Sequence, residues 1–285
     1  MNREPLGRCY AQTKWAKTEI DKLQADIQKF VAGNPYEIVS NVDVEAGEEV
    51  HRIRINQCLP PELEIMIGNI LANLRDPLDN ILAILSDEFR GVATGVSFPF
   101  SHDMNAYDTE IAKIIKLLPA GCEQLIRDAR TYPGGNIHLR ALHFLNRDKK
   151  HRVPIAPFNI RSSLVAGLIA IFKPGKLVRL GFKHGKHLFP SGPHNDLTQP
   201  DASKMPDFIP YQGFVFEPDI AAGDDEMELM TVKPGTQFYA QFKPTIDVAF
   251  TETPGLEREP VGIALHEMRQ LVDGTLLTFE NRFFT

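Results

Sequence analysis

Two short segments of the chain combine residue types that could bind an anion. The first, Asn73–Asn80, has the sequence NLRDPLDN, and in a helix its i,i+4 spacing places Arg75 and Asp79 on one side. A carboxylate beside an arginine can orient the guanidinium fork toward a phosphate. The same two residues could instead form an ordinary helix ion pair, which contributes only about 0.3–0.5 kcal/mol. The sequence leaves both interpretations open.

The second segment, Leu145–Arg152, has the sequence LNRDKKHR at the end of a predicted helix, and five of its eight residues are basic or histidine. The simpler interpretation, which the sequence favours, is positive charge that balances the helix dipole. The alternative is a contact to an anionic ligand or to an RNA backbone. The two segments together supply seven candidate ligand-binding residues: Arg75, Asp79, Asn80, Asp148, Lys149, His151 and Arg152. The two candidates for catalysis are Arg75 and His151.

Standard enzyme motifs and metal-ligand sets are absent from the sequence. It contains no GxxxxGK[ST] phosphate loop, GxGxxG turn, HExxH or GxSxG, so the commonest nucleotide, zinc-protease and hydrolase sites are excluded. A Gly- and Pro-rich stretch holds four residues of types that bind transition metals: His184, His187, His194 and Asp196. Their spacing matches no standard ligand set, and Lys183 and Lys186 would repel a cation. We therefore expect neither a metal nor a cofactor.

Composition restricts the class of protein. The chain has 285 residues and a formal net charge of −6, which does not suit a duplex-DNA binder with its basic stripe. Three widely spaced cysteines, Cys9, Cys58 and Cys122, form neither a disulfide framework nor a CxxC zinc motif, which is typical of a reducing compartment. The N-terminus lacks the apolar stretch of a signal peptide, and the longest apolar run, around Leu164 to Phe172, is too short to span a membrane. We therefore expect a soluble, cytoplasmic protein without membrane contact.

The elements that would position the two segments are mainly helical in the first half of the chain. Apolar spacing predicts a helix at 13–31, a β-hairpin at about 36–56 and a long helix from Pro60 to about Phe89. The long helix carries Arg75, and Pro77 within it predicts a kink or break near 73–77. Three shorter helices are predicted at 107–118, 122–131 and 136–147.

The second half has the patterns of strands, which are predicted at 163–172, 177–183, 213–217, 226–232 and 237–250. A loop is expected at 185–210 and a last helix at 259–283. The sequence therefore predicts an α+β fold, in which a mainly helical portion, 1–155, packs on an antiparallel C-terminal sheet in 156–285. The C-terminal helix closes this fold, and we expect the two portions to form one cooperative unit.

The two segments also carry a resemblance. Ile67–Asn80 is similar to the helix GD-x-x-HNLRSALDH of an uncharacterised bacterial protein family, and Leu142–Arg152 is similar to that family's second signature, LHxLNNxDKHR. The order of predicted elements fits over roughly residues 11–285. The Arg-x4-His element of the family is reminiscent of HEPN-type helical domains, many of which cleave RNA without metal at a dimer interface. The resemblance implies that Arg75 would stabilise charge on phosphate while a histidine moves protons.

The chain departs from that pattern at one residue that catalysis requires. Asn80 stands where Arg-x4-His has its histidine, and an amide is neither an acid nor a base near neutral pH. His151 is the alternative proton carrier. The departure favours a non-catalytic or degenerate binding protein, with an anion site near Arg75 and 148–152, over a HEPN-like, metal-independent ribonuclease.

A third hypothesis is a protein-interaction module that uses the β-rich half. Under the first two hypotheses the expected partners are a small anionic ligand or RNA. A homodimer is the assembly that the resemblance implies. Neither duplex DNA nor a membrane is an expected partner.

Overall fold

The computed structural model describes most of the first half of the chain, the C-terminal helix and several strands between them. The described ranges are 4–45, 47–57, 59–92, 94–151, 158–170, 214–216, 226–232, 238–250, 253–256 and 259–284. The chain divides into two compact units. The helical unit comprises residues 1–28, 59–158 and 249–285, and the strand-containing unit comprises 29–58 and 159–248. That the portions 1–155 and 156–285 fold as one cooperative unit stays a prediction.

Six α-helices and two short 3-10 turns are described. The helices are α1 (Gly7–Ala32), α2 (Pro61–Arg90), α3 (Met104–Ile114), α4 (Cys122–Asp128), α5 (Ile137–His151) and α6 (Val261–Phe283). The 3-10 turns are Glu4–Leu6 and Ile115–Leu117. None of the helices in the described part of the chain is both long and apolar enough to cross a membrane.

The core of the helical unit forms around α2, which packs against α5 and α6. The apolar stripe predicted on α2 is buried, with Leu74, Leu78, Leu82 and Leu85 fully inaccessible to solvent. The α6 residues buried in this unit also recur at helical spacing: Val261, Leu265, Met268, Val272 and Leu276. Burying each such side chain stabilises the fold by about 1.5–3 kcal/mol, so packing, not helix propensity, holds these helices in place.

Pro77 does not break α2. The helix continues from Pro61 to Arg90 with the proline inside it, so of the predicted kink or break near 73–77 the break is wrong and the kink stays a prediction. A proline in a helix interior costs about 3 kcal/mol because it lacks an N–H and crowds the preceding turn. Leu74, Leu78 and Pro77 itself are buried in the core, and apolar burial on this scale offsets that cost.

The described residues of the strand-containing unit form two small sheets. β1 (Tyr36–Asp43) and β2 (Glu48–Ile55) pair antiparallel, which confirms the predicted hairpin. β2 also pairs antiparallel with β5 (Glu226–Val232), giving the order β1-β2-β5. The second sheet has the order β4-β3-β6, formed by β3 (Phe158–Ala170), β4 (Phe214–Phe216) and β6 (Phe238–Phe250).

The predicted α+β fold with a large antiparallel C-terminal sheet is wrong. The described residues are mostly helical, and they form no large C-terminal sheet. β5 lies at the predicted position, but it pairs with the N-terminal hairpin, and α6 belongs to the helical unit. Strand periodicity shows which residues share a face of a strand, but it does not identify the strand that pairs with it. The strands were therefore assigned to the wrong sheet. The strand predicted at 177–183 and the loop at 185–210 lie outside the described residues.

Two buried cysteines provide a test of the helical core. Cys9 on α1 and Cys122 at the start of α4 have no exposed surface. Burial raises the pKa of the Cys9 thiol to about 11 and that of Cys122 to about 12. Because the thiolate is the reactive form, we expect neither residue to react with iodoacetamide in the folded chain at about pH 8. Mass spectrometry should find both alkylated only after unfolding in guanidinium.

The pKa values of the same two thiols predict how the stability of the fold changes at alkaline pH. Their pKa values in the folded chain lie above the ordinary value of 9.0, so folding favours the protonated form. This contribution to stability is complete below about pH 9 and is lost as the pH rises toward 11 and 12. Rapid alkylation of Cys9 or Cys122 in the folded chain would show that the core opens readily.

Candidate functional site

The Arg75 segment lies where three parts of the helical unit meet. α2 presents Arg75 and Asp79 one turn apart, α5 presents His143, and the connection that follows α2 passes between them. Phe98 and Phe100 in this connection are buried, which holds its backbone against α2 and α5. The helix repeat places Arg75 and Asp79 on the same side of α2. Burial of the two phenylalanines fixes the backbone that faces them.

The Arg75 side chain is enclosed by protein groups and is 7% exposed. Its Nη2 donates to the carbonyl oxygen of Phe98 at 3.2 Å, and its Nε donates a long hydrogen bond of 3.5 Å to Nδ1 of His143. Its Nη1 lies 2.7 Å from Oδ1 of Asp79, as an ion pair that lacks the alignment of a hydrogen bond. Nη2 and Nε therefore already meet acceptors within the protein, whereas Nη1 lies beside Asp79 without a hydrogen bond.

Aromatic rings complete this buried arginine cluster, which consists of Arg75, Asp79, Phe98, Phe100 and His143. The Arg75 Cζ lies 4.4 Å from the centroid of Phe100, in cation–π geometry. The Phe100 ring stacks on His143 at 4.6 Å and an interplanar angle of 4°. Nδ1 of His143 thus faces the guanidinium group of Arg75, while the same ring packs against Phe100.

Asp79 and Asn80 have different roles although they are adjacent. Oδ1 of Asp79 accepts a hydrogen bond of 2.7 Å from the backbone N–H of Phe98, and the Asp79 side chain is 36% exposed. Nδ2 of Asn80 donates to Oε1 of Gln12 on α1 at 3.2 Å. The structure therefore joins Arg75 and Asp79, while Asn80 ties α2 to α1.

A second group of cations surrounds Phe144 on α5. The Cζ atoms of Arg140 and Arg147 lie 5.7 and 5.2 Å from the Phe144 centroid. His102 stacks on the same ring at 4.8 Å, and Nη1 of Arg147 donates to its Nε2 at 3.3 Å. His102 and Arg147 are exposed. We call these four residues, His102, Arg140, Phe144 and Arg147, the α5 arginine surface.

This surface contains an unsatisfied donor. The Nε of Arg140 is buried and has no hydrogen-bond partner among the described residues. A buried donor without a partner costs about 1–3 kcal/mol, so an incoming acceptor would gain from meeting it. The neighbourhood also holds a carboxylate: burial raises the pKa of Glu110, and the charges of Lys113 and His102 oppose that shift.

The remaining predicted residues follow directly after this surface. Asp148, Lys149 and His151 belong to the last turn of α5, which extends beyond the predicted end at 147. Their side chains, and Arg152 altogether, lie outside the described part of the structure, as do His184, His187, His194 and Asp196. That Asp148 and His151 approach Arg75 stays a prediction. Within the described ranges no group of three or more residues could hold a metal ion.

Sequence reasoning missed His102, Arg140, His143 and Phe144 as members of a site. His143 and Phe144 stand inside the LHxLNNxDKHR-like segment, so this signal was available. His102 had no comparable signal, because nothing local indicates that the connection after α2 returns to α5.

Comparison with known proteins does not identify a family: no family model matches the chain, and no curated protein or solved structure matches it.

Proposed function

We propose that the chain is a non-catalytic binding protein for a phosphate-bearing ligand, with the α5 arginine surface as its site. The observation that carries the proposal is the pair of guanidinium groups on one ring, one of which has an unsatisfied buried donor. Guanidinium groups bind phosphate through charge-assisted hydrogen bonds. The basic residues of the adjoining segment, Lys149, Lys150 and Arg152, add positive charge in the sequence that follows.

Balance of the helix dipole does not account for this surface. Arg147 and the basic residues after it lie toward the C-terminus of α5, where positive charge is favourable. Arg140 lies in the first turn of the same helix, where positive charge is unfavourable. An arginine at that position is not favoured by the helix dipole, and an anionic ligand would meet both its charge and its unsatisfied Nε.

The buried arginine cluster supports a non-catalytic function. A phosphate could reach Arg75 only by displacing Asp79 or the Phe98 carbonyl from the guanidinium group. Asn80, which stands where a catalytic histidine would be needed, is already bonded to Gln12. In this proposal Arg75 holds α5 against α2 and so positions the α5 arginine surface.

The proposal predicts that adenosine monophosphate binds at least about tenfold more tightly than adenosine in calorimetric titrations, because only the former has a phosphate. Arg147→Ala is expected to weaken binding of the monophosphate by about tenfold or more. Arg127→Ala is a matched control. Its guanidinium group is half-buried and lies 2.6 Å from Asp108 and 2.9 Å from Glu123, away from the α5 arginine surface, so its loss should not change the affinity.

Three results would contradict the proposal. The first is equal binding of adenosine and its monophosphate, and the second is equal effects of Arg147→Ala and Arg127→Ala. The third is cleavage of a labelled RNA by the pure chain in the presence of EDTA, which would indicate a HEPN-like ribonuclease. In that case His143, the histidine bonded to Arg75, would be the first residue to replace.

A further inference from the structure

An exposed aromatic ring lies within the α5 arginine surface. The ring of His102 stacks on Phe144, with the two centroids 4.8 Å apart and an interplanar angle of 27°. Its Nε2 lies 3.3 Å from Nη1 of Arg147, so one face and one edge of the imidazole are in contact with protein groups. His102 is nevertheless exposed, so the accessible part of its ring is the outer face and the remaining edge. A flat group can stack on that outer face.

The backbone on both sides of His102 is held in place. The preceding residue, Ser101, is buried, and its N–H donates to the carbonyl oxygen of Thr131 at 3.3 Å. The following residue, Asp103, caps α3, and its Oδ1 accepts from the N–H of Ala106 at 2.8 Å. Because the ring is already positioned, little conformational freedom is lost when a ligand stacks on it.

The charge around this ring is positive. The sequence of α5 contains four cations and one carboxylate: Arg140, Arg147, Lys149, Lys150 and Asp148. On α3, Glu110 and Lys113 carry opposite charges close to each other, and the cap residue Asp103 adds one carboxylate. The cations still outnumber the carboxylates, which suits an anionic ligand.

We propose that the ligand of the α5 arginine surface is a nucleotide, whose base stacks on the outer face of His102 while its phosphate meets Arg140 and Arg147. This proposal rests on the phosphate-binding function above and names the class of ligand. Unstacked bases are commonly bound by stacking on aromatic side chains, histidine among them. A base and a phosphate of one nucleotide are separated by a single ribose, and the ring of His102 lies directly beside the guanidinium group of Arg147.

The position of the two arginines favours a nucleotide over a simpler aromatic phosphate. Their Cζ atoms lie 5.7 and 5.2 Å from the Phe144 centroid, whereas a group on the outer face of His102 lies one ring further from Phe144. An aryl phosphate carries its phosphate directly on the ring and keeps it close to the level of that ring. The ribose of a nucleotide is a longer link, which lets the phosphate turn back toward both arginines.

Calorimetric titrations of the full chain with adenosine monophosphate, ribose monophosphate and phenyl phosphate test the class of ligand. Adenosine monophosphate is expected to bind about tenfold more tightly than either of the others, since only it has both a base and a ribose. Two variants at one position then separate stacking from the contact with Arg147. His102→Phe and His102→Ala both remove the nitrogen that faces Arg147, but only His102→Phe keeps a ring. We expect His102→Phe to keep the preference over ribose monophosphate, and His102→Ala to reduce it to within about twofold.

Each other outcome would overturn the proposal. Equal affinities for adenosine monophosphate and ribose monophosphate, or an unchanged preference in His102→Ala, would show that no base stacks on His102. Loss of the preference in His102→Phe as well would assign it to the contact with Arg147. Phenyl phosphate bound as tightly as adenosine monophosphate would indicate an aryl phosphate instead.

Failure of the phosphate site itself gives a different result, because adenosine monophosphate would then bind no more tightly than adenosine. Thermal melts provide the control for folding. Since His102 is exposed, both variants should melt close to the temperature of the unmodified chain, and a changed affinity then reports binding and not stability.

Discussion

Replacing Arg75 with alanine is expected to lower the free energy of unfolding of the helical unit by about 3 kcal/mol. The substitution leaves the Phe98 carbonyl without its donor and removes the guanidinium group that covers the Phe100 ring. It also leaves Asp79 without its cation, although the 36% exposure of that side chain moderates this part of the loss. Urea denaturation followed by the fluorescence of Trp15, which lies in the same unit, measures the change.

Two conservative variants separate charge from geometry at the buried arginine cluster. Asp79→Asn keeps an oxygen for the Phe98 N–H and removes only the negative charge, so we expect a loss of about 1 kcal/mol. Arg75→Lys keeps the charge, but a lysine cannot contact the Phe98 carbonyl, His143 and Asp79 at the same time. Its loss of unfolding free energy should therefore lie between the losses in Asp79→Asn and Arg75→Ala. If Arg75→Ala were as stable as the unmodified chain, the cluster would not hold α5 against α2.

Ligand binding gives a second criterion for Arg75. In the proposed function Arg75 positions α5 and does not touch the ligand, so Arg75→Lys should retain most of the affinity for adenosine monophosphate while folded. Arg147→Ala should show the reverse, with lost affinity and nearly unchanged stability, because Arg147 is exposed. A loss of affinity in Arg75→Lys as large as that in Arg147→Ala would place the ligand at Arg75.

The elements of the helical unit could be predicted from the sequence because local rules determine them. Apolar spacing indicated a helix from Pro60 to about Phe89, and the structure has it at Pro61–Arg90. The i,i+4 spacing likewise predicted that Arg75 and Asp79 meet. The continuity of α2 through Pro77 could not be predicted, since it depends on packing against α5 and α6.

Contacts between distant segments were beyond local patterns. The hydrogen bond from Arg75 to the Phe98 carbonyl joins residues 23 positions apart, and that from Arg75 to His143 spans 68 positions. No local periodicity indicates such pairings, so the sequence could not show that Nη2 and Nε of Arg75 meet acceptors within the protein, and anion binding by Arg75 stays a prediction. For the same reason it assigned β5 to a C-terminal sheet, although β5 pairs with the hairpin at Tyr36–Ile55.

The second large effect is expected at Gly135, in the turn that leads into α5. A Cβ added at this position would lie 2.0 Å from the carbonyl oxygen of Arg130 and 2.9 Å from that of Tyr132. Both contacts are with backbone atoms, so a side chain cannot rotate away to relieve them. The same Arg130 oxygen accepts the backbone N–H of Asn136 at 2.7 Å, and Oδ1 of Asn136 accepts from the N–H of Leu139 in the first turn of α5.

Gly135→Ala is therefore expected to lower the free energy of unfolding by at least about 3 kcal/mol, because the turn must open and α5 loses its N-terminal hydrogen bond. The neighbouring Gly134→Ala is the matched control. Gly134 has a φ of +78° but nothing within 4 Å of an added Cβ, so only backbone strain of about 1 kcal/mol is expected. Urea denaturation of both variants measures the difference.

Since α5 carries Arg140 and Arg147, Gly135→Ala should also weaken binding of adenosine monophosphate, whereas Gly134→Ala should not. Equal stabilities of the two variants would mean that the turn adapts without cost, and that α5 does not depend on it for its position.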